Sequence, residues 1–207
     1  MRPSARCARP ALADSARLYA WPPGTVVTWC LAPTSPLPAG MTRDTAAGAI
    51  GAGIAVWSAV CGVAIESTED PTAAKVVAVF TALDPSGVEL GLTDLPAGEP
   101  QLLLRLNLDD QWTDEELAQV AMHEFGHALG LEHSPAAVVA VMAPIYNPDL
   151  VGPQQWDVEQ AQLRYPPAAP PVDAPATTLH VLTPGPIGLE LDFASPGDYQ
   201  VFVRRIS

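Results

Sequence analysis

The run His123-Glu124-Phe125-Gly126-His127-Ala128-Leu129-Gly130-Leu131-Glu132-His133 constrains this chain more than any other stretch. It reads H-E-x-G-H-x-x-G-x-x-H, and each position has a physical reading. Thr113-Asp114-Glu115-Glu116 ahead of it is an S/T-x-x-E box that starts a helix. Leu117, Val120, Ala121 and Phe125 give that helix a buried stripe. His123 and His127, four apart, project from one face, one turn above the other. Gly130 lacks a Cβ, so it can take the left-handed conformation that ends a helix. The turn brings His133 back as a third ligand. Three histidines leave the fourth tetrahedral position open, which separates a zinc site built for chemistry from a closed structural one. Glu124, beside the first ligand, can reach a water there and act as general base. Zinc in such a site lowers the pKa of water towards neutrality and polarises a carbonyl. H-E-x-x-H alone also arises by chance, as a pair of solvated or core histidines. The helix-ending glycine and the third histidine at fixed spacing argue against that reading.

With Val141-Met142-Ala143-Pro144-Ile145-Tyr146 added, the chain resembles the metzincin metalloproteases, and among them the matrixins. The resemblance runs from Trp21 to Tyr165. It implies that Met142 forms a methionine turn, a hydrophobic floor under the histidines and not a ligand. It also implies that Pro144, Ile145 and Tyr146 wall the S1′ pocket. Ser86 to Asp94 resembles the family's edge strand beside the cleft, with Val88, Glu89, Leu90, Gly91 and Leu92 as a rail to which an extended peptide can add. Trp57 sits at a family tryptophan, and Asp157 matches an acidic position that supports the base of the active site. The bland reading of Asp157 is a helix-start aspartate.

Composition bounds the rest. A chain of 207 residues, 48% apolar, supports one main domain with a proper core. A net charge of −13 with only ten Lys+Arg argues against nucleic acid or an anionic membrane as partner. Residues 1–20 contain arginines but no apolar run long enough for a signal-peptide core. Ala46 to Ile65 is uncharged but mostly Ala and Gly, so it reads as a helix of the domain and not a membrane span.

The domain organisation expected is a leader over 1–20, a catalytic domain over 21–165, a Pro-rich linker over 166–176 and a β-rich extension over 177–207. In the leader, Arg6-Cys7-Ala8-Arg9-Pro10 is similar to the matrixin cysteine switch, whose thiolate fills the open position on zinc. Ala8 replaces the family's glycine and the aspartate is absent. Two readings stay open, an inhibitory switch thiol at Cys7 or a thiol in a leader. The catalytic domain reads as strands at Thr25–Leu31, Val63–Ser67, Lys75–Thr81, Ser86–Asp94 and Gln101–Leu108. Helices start at Thr42, at Thr113 and near Trp156. Strand–helix–strand at the start implies a parallel pair. Cys30 and Cys61 could form a disulfide, yet Cys30 falls late in its strand and Cys61 before the next, so the bridge stays open. Beyond the linker, Thr177–Leu182, Ile187–Phe193 and Tyr199–Arg204 read as short strands, with His180 given no catalytic role.

The fold class expected is α+β, a zincin/metzincin catalytic domain with a twisted mixed five-stranded sheet and three helices, plus a short C-terminal β extension. Four histidines occur, at 123, 127, 133 and 180, so none is available for the structural zinc of vertebrate matrixins. Asn107, Asp109 and Asp110 are the oxygen ligands left where the family's calcium loop would be, and calcium is not expected. One catalytic zinc is. The function implied is zinc-dependent endopeptidase, acting on extended polypeptides with an apolar P1′ residue, by a secreted monomer kept as a zymogen. A zinc-binding structural or surface protein without activity is the alternative. An amidase on the same zinc chemistry is a third reading.

Overall fold

The computed structural model describes residues 6–7, 19–83, 88–168, 179–181 and 189–191. A two-residue strand, β1 (Arg6–Cys7), is followed by β2 (Val26–Leu31), α1 (Arg43–Val60), β3 (Ala64–Ser67), β4 (Val76–Thr81), β5 (Glu89–Thr93) and β6 (Leu102–Asn107). Then come α2 (Asp114–Ala128) and α3 (Gln155–Arg164). The five strands β2 to β6 make the expected mixed sheet, and β1 adds to its edge, in the order β1-β5-β6-β4-β2-β3. β2 runs parallel to β3 and to β4, and β4 runs parallel to β6. β5 runs antiparallel to β6, and β1 runs parallel to β5. The expected edge strand is shorter than read, since Val88 precedes it.

Alternation decides which face is covered. Val27 and Trp29, Val76, Ala78 and Phe80, and Leu102, Leu104 and Leu106 share one buried cluster with Ile50, Ile54 and Trp57 of α1 and Leu117, Val120 and Phe125 of α2. Each side chain of this size buried from water contributes about 1.5–3 kcal/mol. The helices meet almost backbone to backbone: a Cβ on Gly53 would lie 2.0 Å from the Ala118 carbonyl oxygen. Trp57 adds direction, its indole Nε1 donating to the Met122 carbonyl at 3.0 Å. Thr42 caps α1, its hydroxyl accepting from the Thr45 amide at 3.2 Å, so the uncharged run is a domain helix. Among the described residues no helix is long and apolar enough to cross a membrane.

Cys30 and Cys61 are separate buried thiols, so no bridge joins them. Adjacent strand residues face opposite sides. Trp29 faces the helices, and Cys30 therefore packs on the other face with Ala32, Ala74 and Val77. Cys61 lies in the main core, its thiol donating to the Trp57 carbonyl at 3.2 Å. Burial raises the pKa of both.

Residues 168–207 form a second unit. In it β7 (Leu179–Val181) pairs antiparallel with β8 (Leu189–Leu191), His180 opposite Glu190. The strand read at Tyr199–Arg204 and most of the Pro-rich linker lie outside the described residues.

Candidate metal centre

Thr113 starts α2, its hydroxyl accepting from the Glu116 amide at 3.1 Å. The helix closes in a Schellman turn. Gly130 N–H donates to the His127 carbonyl at 2.7 Å, and Leu131 N–H to the Gly126 carbonyl at 2.9 Å. Gly130 has φ +92°, a conformation that glycine adopts without penalty. The chain then doubles back and places His133 against the two helical histidines.

The three Nε2 atoms form a triangle with edges of 3.1, 3.2 and 3.2 Å. A tetrahedral ion with bonds of about 2.0–2.1 Å sets its ligand atoms about 3.3–3.4 Å apart, so the triangle fits zinc. The far side of two rings fixes the chemistry. His123 Nδ1 lies 2.7 Å from the Val141 carbonyl and His127 Nδ1 2.7 Å from the Leu131 carbonyl. A carbonyl only accepts, so each Nδ1 carries the proton and each Nε2 presents a lone pair. Burial drives the same way, pushing His123 down to about 3 and His127 well below the usual histidine range. Neutral, lone-pair-bearing nitrogens converging at 3.1 Å cannot hydrogen-bond one another; they suit a cation. Among the described residues this is the group that could hold a metal.

Glu124 is fully buried, with its carboxylate against β5. A Cβ on Gly91 would stand 2.5 Å from Glu124 Oε1 and 2.6 Å from its Cγ. Glycine at this place on the edge strand makes room for the carboxylate. The same edge carries β1, parallel, with Arg6 opposite Glu89 and Cys7 opposite Gly91.

Met142 is fully buried against α2, where a Cβ on Gly126 would meet its sulfur at 2.4 Å. The turn that carries it hangs on Asp157. One carboxylate oxygen accepts from the Val141 amide at 2.7 Å and from the Gln154 amide at 2.8 Å, the other from the Met142 amide at 3.0 Å. Asp157 is therefore more than a helix-start residue: it holds the peptide whose carbonyl orients His123.

Gln119, which the sequence reading passed over, closes a pocket beside His123. Its Nε2 donates to the Pro148 carbonyl at 3.0 Å and the Leu150 carbonyl at 3.1 Å, and its Oε1 accepts from the Tyr146 hydroxyl. The pocket, lined also by Val141, Ile145 and Asn147, has a free volume of about 20 Å³, little more than one water needs. Pro144 lies beside this pocket's wall in sequence but does not line it.

Fold and site together define a metzincin-type centre: three histidines on a helix and its returning turn, a buried glutamate next to the first in sequence, and a buried methionine packed on the same helix. The chain belongs to the matrixin family, whose model matches residues 20–165. Matrixins are zinc metalloendopeptidases, and the three histidines fit their zinc site. The chain is also similar to stromelysin-3 of Rattus norvegicus, 46% identical over 48 residues, and of Mus musculus, 59% identical over 39 residues. Those stretches cover 21% and 19% of this chain but only 10% and 7% of the two relatives, so the chain spans a small part of the curated relatives it matches.

Proposed function

We propose that this protein is a zinc-dependent endopeptidase that cleaves extended polypeptides before an apolar P1′ residue. The observation that carries the reading is the three-histidine triangle, with Glu124 next to its first member in sequence and its buried carboxylate against Gly91 of β5, where a substrate backbone would pair. His123, His127 and His133 would hold the zinc. When bound, zinc supplies Lewis acidity to a scissile carbonyl and to a water. Glu124 would take a proton from the water that adds to the scissile carbonyl and return it to the amine as the C–N bond breaks. The edge of β5 from Glu89 to Leu92, on which β1 pairs in this structure, offers main-chain donors and acceptors that align the peptide once β1 leaves it. Val141, Ile145 and Tyr146, with Pro144 next to them, form the wall that receives the P1′ side chain. Met142 serves as a floor that keeps the triangle in place.

Cys7 fits the inhibitory switch. β1 sits on the strand edge that a substrate needs, and Cys7 is in register with Gly91, the residue over Glu124. A leader that pairs there competes with substrate for the same hydrogen bonds, which supports a zymogen. Secretion and a monomeric state follow the family, with polypeptide as the partner and one catalytic zinc; the lack of a structural zinc and of calcium is a departure from it. The domain organisation proposed is leader 1–20, catalytic domain 21–165, linker 166–176 and β extension 177–207.

Peptide-library cleavage read by mass spectrometry tests this, with zinc-loaded full chain beside its Cys7→Ser variant. Cuts before apolar residues, faster in Cys7→Ser, are the expected result. No cuts from either protein, with one zinc bound per chain, would favour the silent zinc-binding reading.

A further inference from the structure

The catalytic-type helix ends on two carbonyls that its own turn does not use. Leu129 N–H takes the Phe125 carbonyl, and the Schellman turn takes those of Gly126 and His127. Ala128 and Leu129 are left to partners from distant parts of the chain. The Trp21 indole Nε1 donates to the Ala128 carbonyl at 2.9 Å. The Tyr165 hydroxyl donates to the Leu129 carbonyl at 2.9 Å. These two partners are themselves joined, because the Trp21 amide donates to the Tyr165 hydroxyl oxygen at 3.0 Å. Tyr19 packs close to the same turn, its carbonyl oxygen standing 2.0 Å from where a Cβ on Gly130 would be. Trp21 and Tyr165 are each only 8% exposed. Burial pushes the Tyr165 hydroxyl up to about 12, so it remains a donor throughout the neutral range.

What this clamp holds is the hinge of the metal centre. Leu129 and Gly130 separate His127, the last helical ligand, from His133, the returning one. Leu131, next along, offers the carbonyl that orients His127. A helix end whose carbonyls lose buried partners frays or admits water, and fraying by part of an ångström would open the triangle at His133. We infer that the Tyr165 hydroxyl and the Trp21 indole are positioning residues of the metal centre, fixing the end of α2 so that His133 closes on His123 and His127. The inference rests on the zinc reading of the triangle. It assigns a task to two aromatic residues from the first and last segments of the catalytic domain, neither of which is a ligand.

The test is the zinc affinity of full-length Tyr165→Phe, measured by competition with a chromophoric chelator. The visible spectrum of the cobalt-substituted protein is recorded alongside. Groups that directly support a metal-bound histidine typically contribute 10- to 100-fold in affinity. One step further out, a loss of about 5- to 10-fold is expected, with a displaced cobalt band. Trp21→Phe, which removes the other donor, moves both readouts in the same direction. Ile50→Val trims the core on α1 without touching the clamp, and it should leave affinity and spectrum at wild-type values. Wild-type affinity and spectrum in Tyr165→Phe would overturn the inference. An equal loss in Ile50→Val would also overturn it, by reducing the clamp to general stability. Wild-type protein that bound no zinc would overturn the metal reading itself, and the inference with it.

Discussion

Asp157→Asn changes one atom group, and the structure says what that change costs. The carboxylate is fully buried and accepts three backbone N–H groups, from Val141, Met142 and Gln154, at 2.7, 3.0 and 2.8 Å. An asparagine can keep its oxygen on the Val141 and Gln154 side, which turns its NH₂ towards the Met142 N–H. Donor then faces donor, and a buried donor left unsatisfied costs about 1–3 kcal/mol. The two remaining bonds lose the assistance of a charge, which roughly halves their strength. Together the loss is about 2–4 kcal/mol. For a protein of this size each kcal/mol moves the melting temperature by about 2–4 °C, so Tm should fall by roughly 4–16 °C. The measurement is thermal unfolding in the presence of a chelator, which removes any contribution of metal binding to the difference. Zinc affinity should fall as well, because the Val141 carbonyl held by this network orients His123. A Tm within 1 °C of wild type would mean that something other than Asp157 holds the turn at Met142.

Other predictions are more local. Gly91→Ala places a methyl group 2.5 Å from Glu124 Oε1, so the base must move. The expected outcome is a kcat at least about tenfold lower with zinc affinity unchanged, checked by steady-state kinetics and chelator competition. Gln119→Ala removes the side chain that closes the pocket beside His123, and library cleavage should shift towards bulkier P1′ residues. The pH response of the metal-free protein has a definite sign. Burial lowers His123 from 6.5 to about 3 in the folded state, so its contribution is present above pH 6.5 and lost as pH falls towards 3. Denaturant melts in chelator at pH 7 and pH 5 should differ by about 2 kcal/mol from this histidine alone, the acidic sample being weaker.

Much of this was legible in the sequence because the signals were local. The cap at Thr113, the four-residue spacing of His123 and His127, and the demand of Gly130 for positive φ all act within a few residues of one another. The apolar runs within Val76–Thr81 and Leu102–Asn107 mark strands in the same way, and Thr42 marks the start of α1. The partners of long sequence separation were not legible. Nothing near Gln119 says that its amide will hold the carbonyls of Pro148 and Leu150, and nothing near Trp21 points to Ala128. Gly91 looked like one residue of a substrate rail, while its task of making room for Glu124 depends on packing between β5 and α2. The disulfide stayed open for a related reason. Strand parity puts Cys30 opposite to Trp29, but which face Cys61 reaches depends on how α1 ends, with its thiol turned back to the Trp57 carbonyl. Pairing of β1 with β5 is also a tertiary fact, although Cys7 had been marked out by its flanking arginine and proline.

In the proposed mechanism the buried glutamate does chemistry at a zinc site. The most direct measurement compares zinc content and peptide turnover in Cys7→Ser protein with and without Glu124→Gln. One zinc per chain is expected in both, and cleavage slower by about 10²- to 10⁴-fold in the glutamine variant, the usual contribution of a general base. Equal turnover in the two proteins would remove Glu124 from the mechanism. One zinc per chain with no turnover in either would make this a metal-binding protein that no longer cleaves.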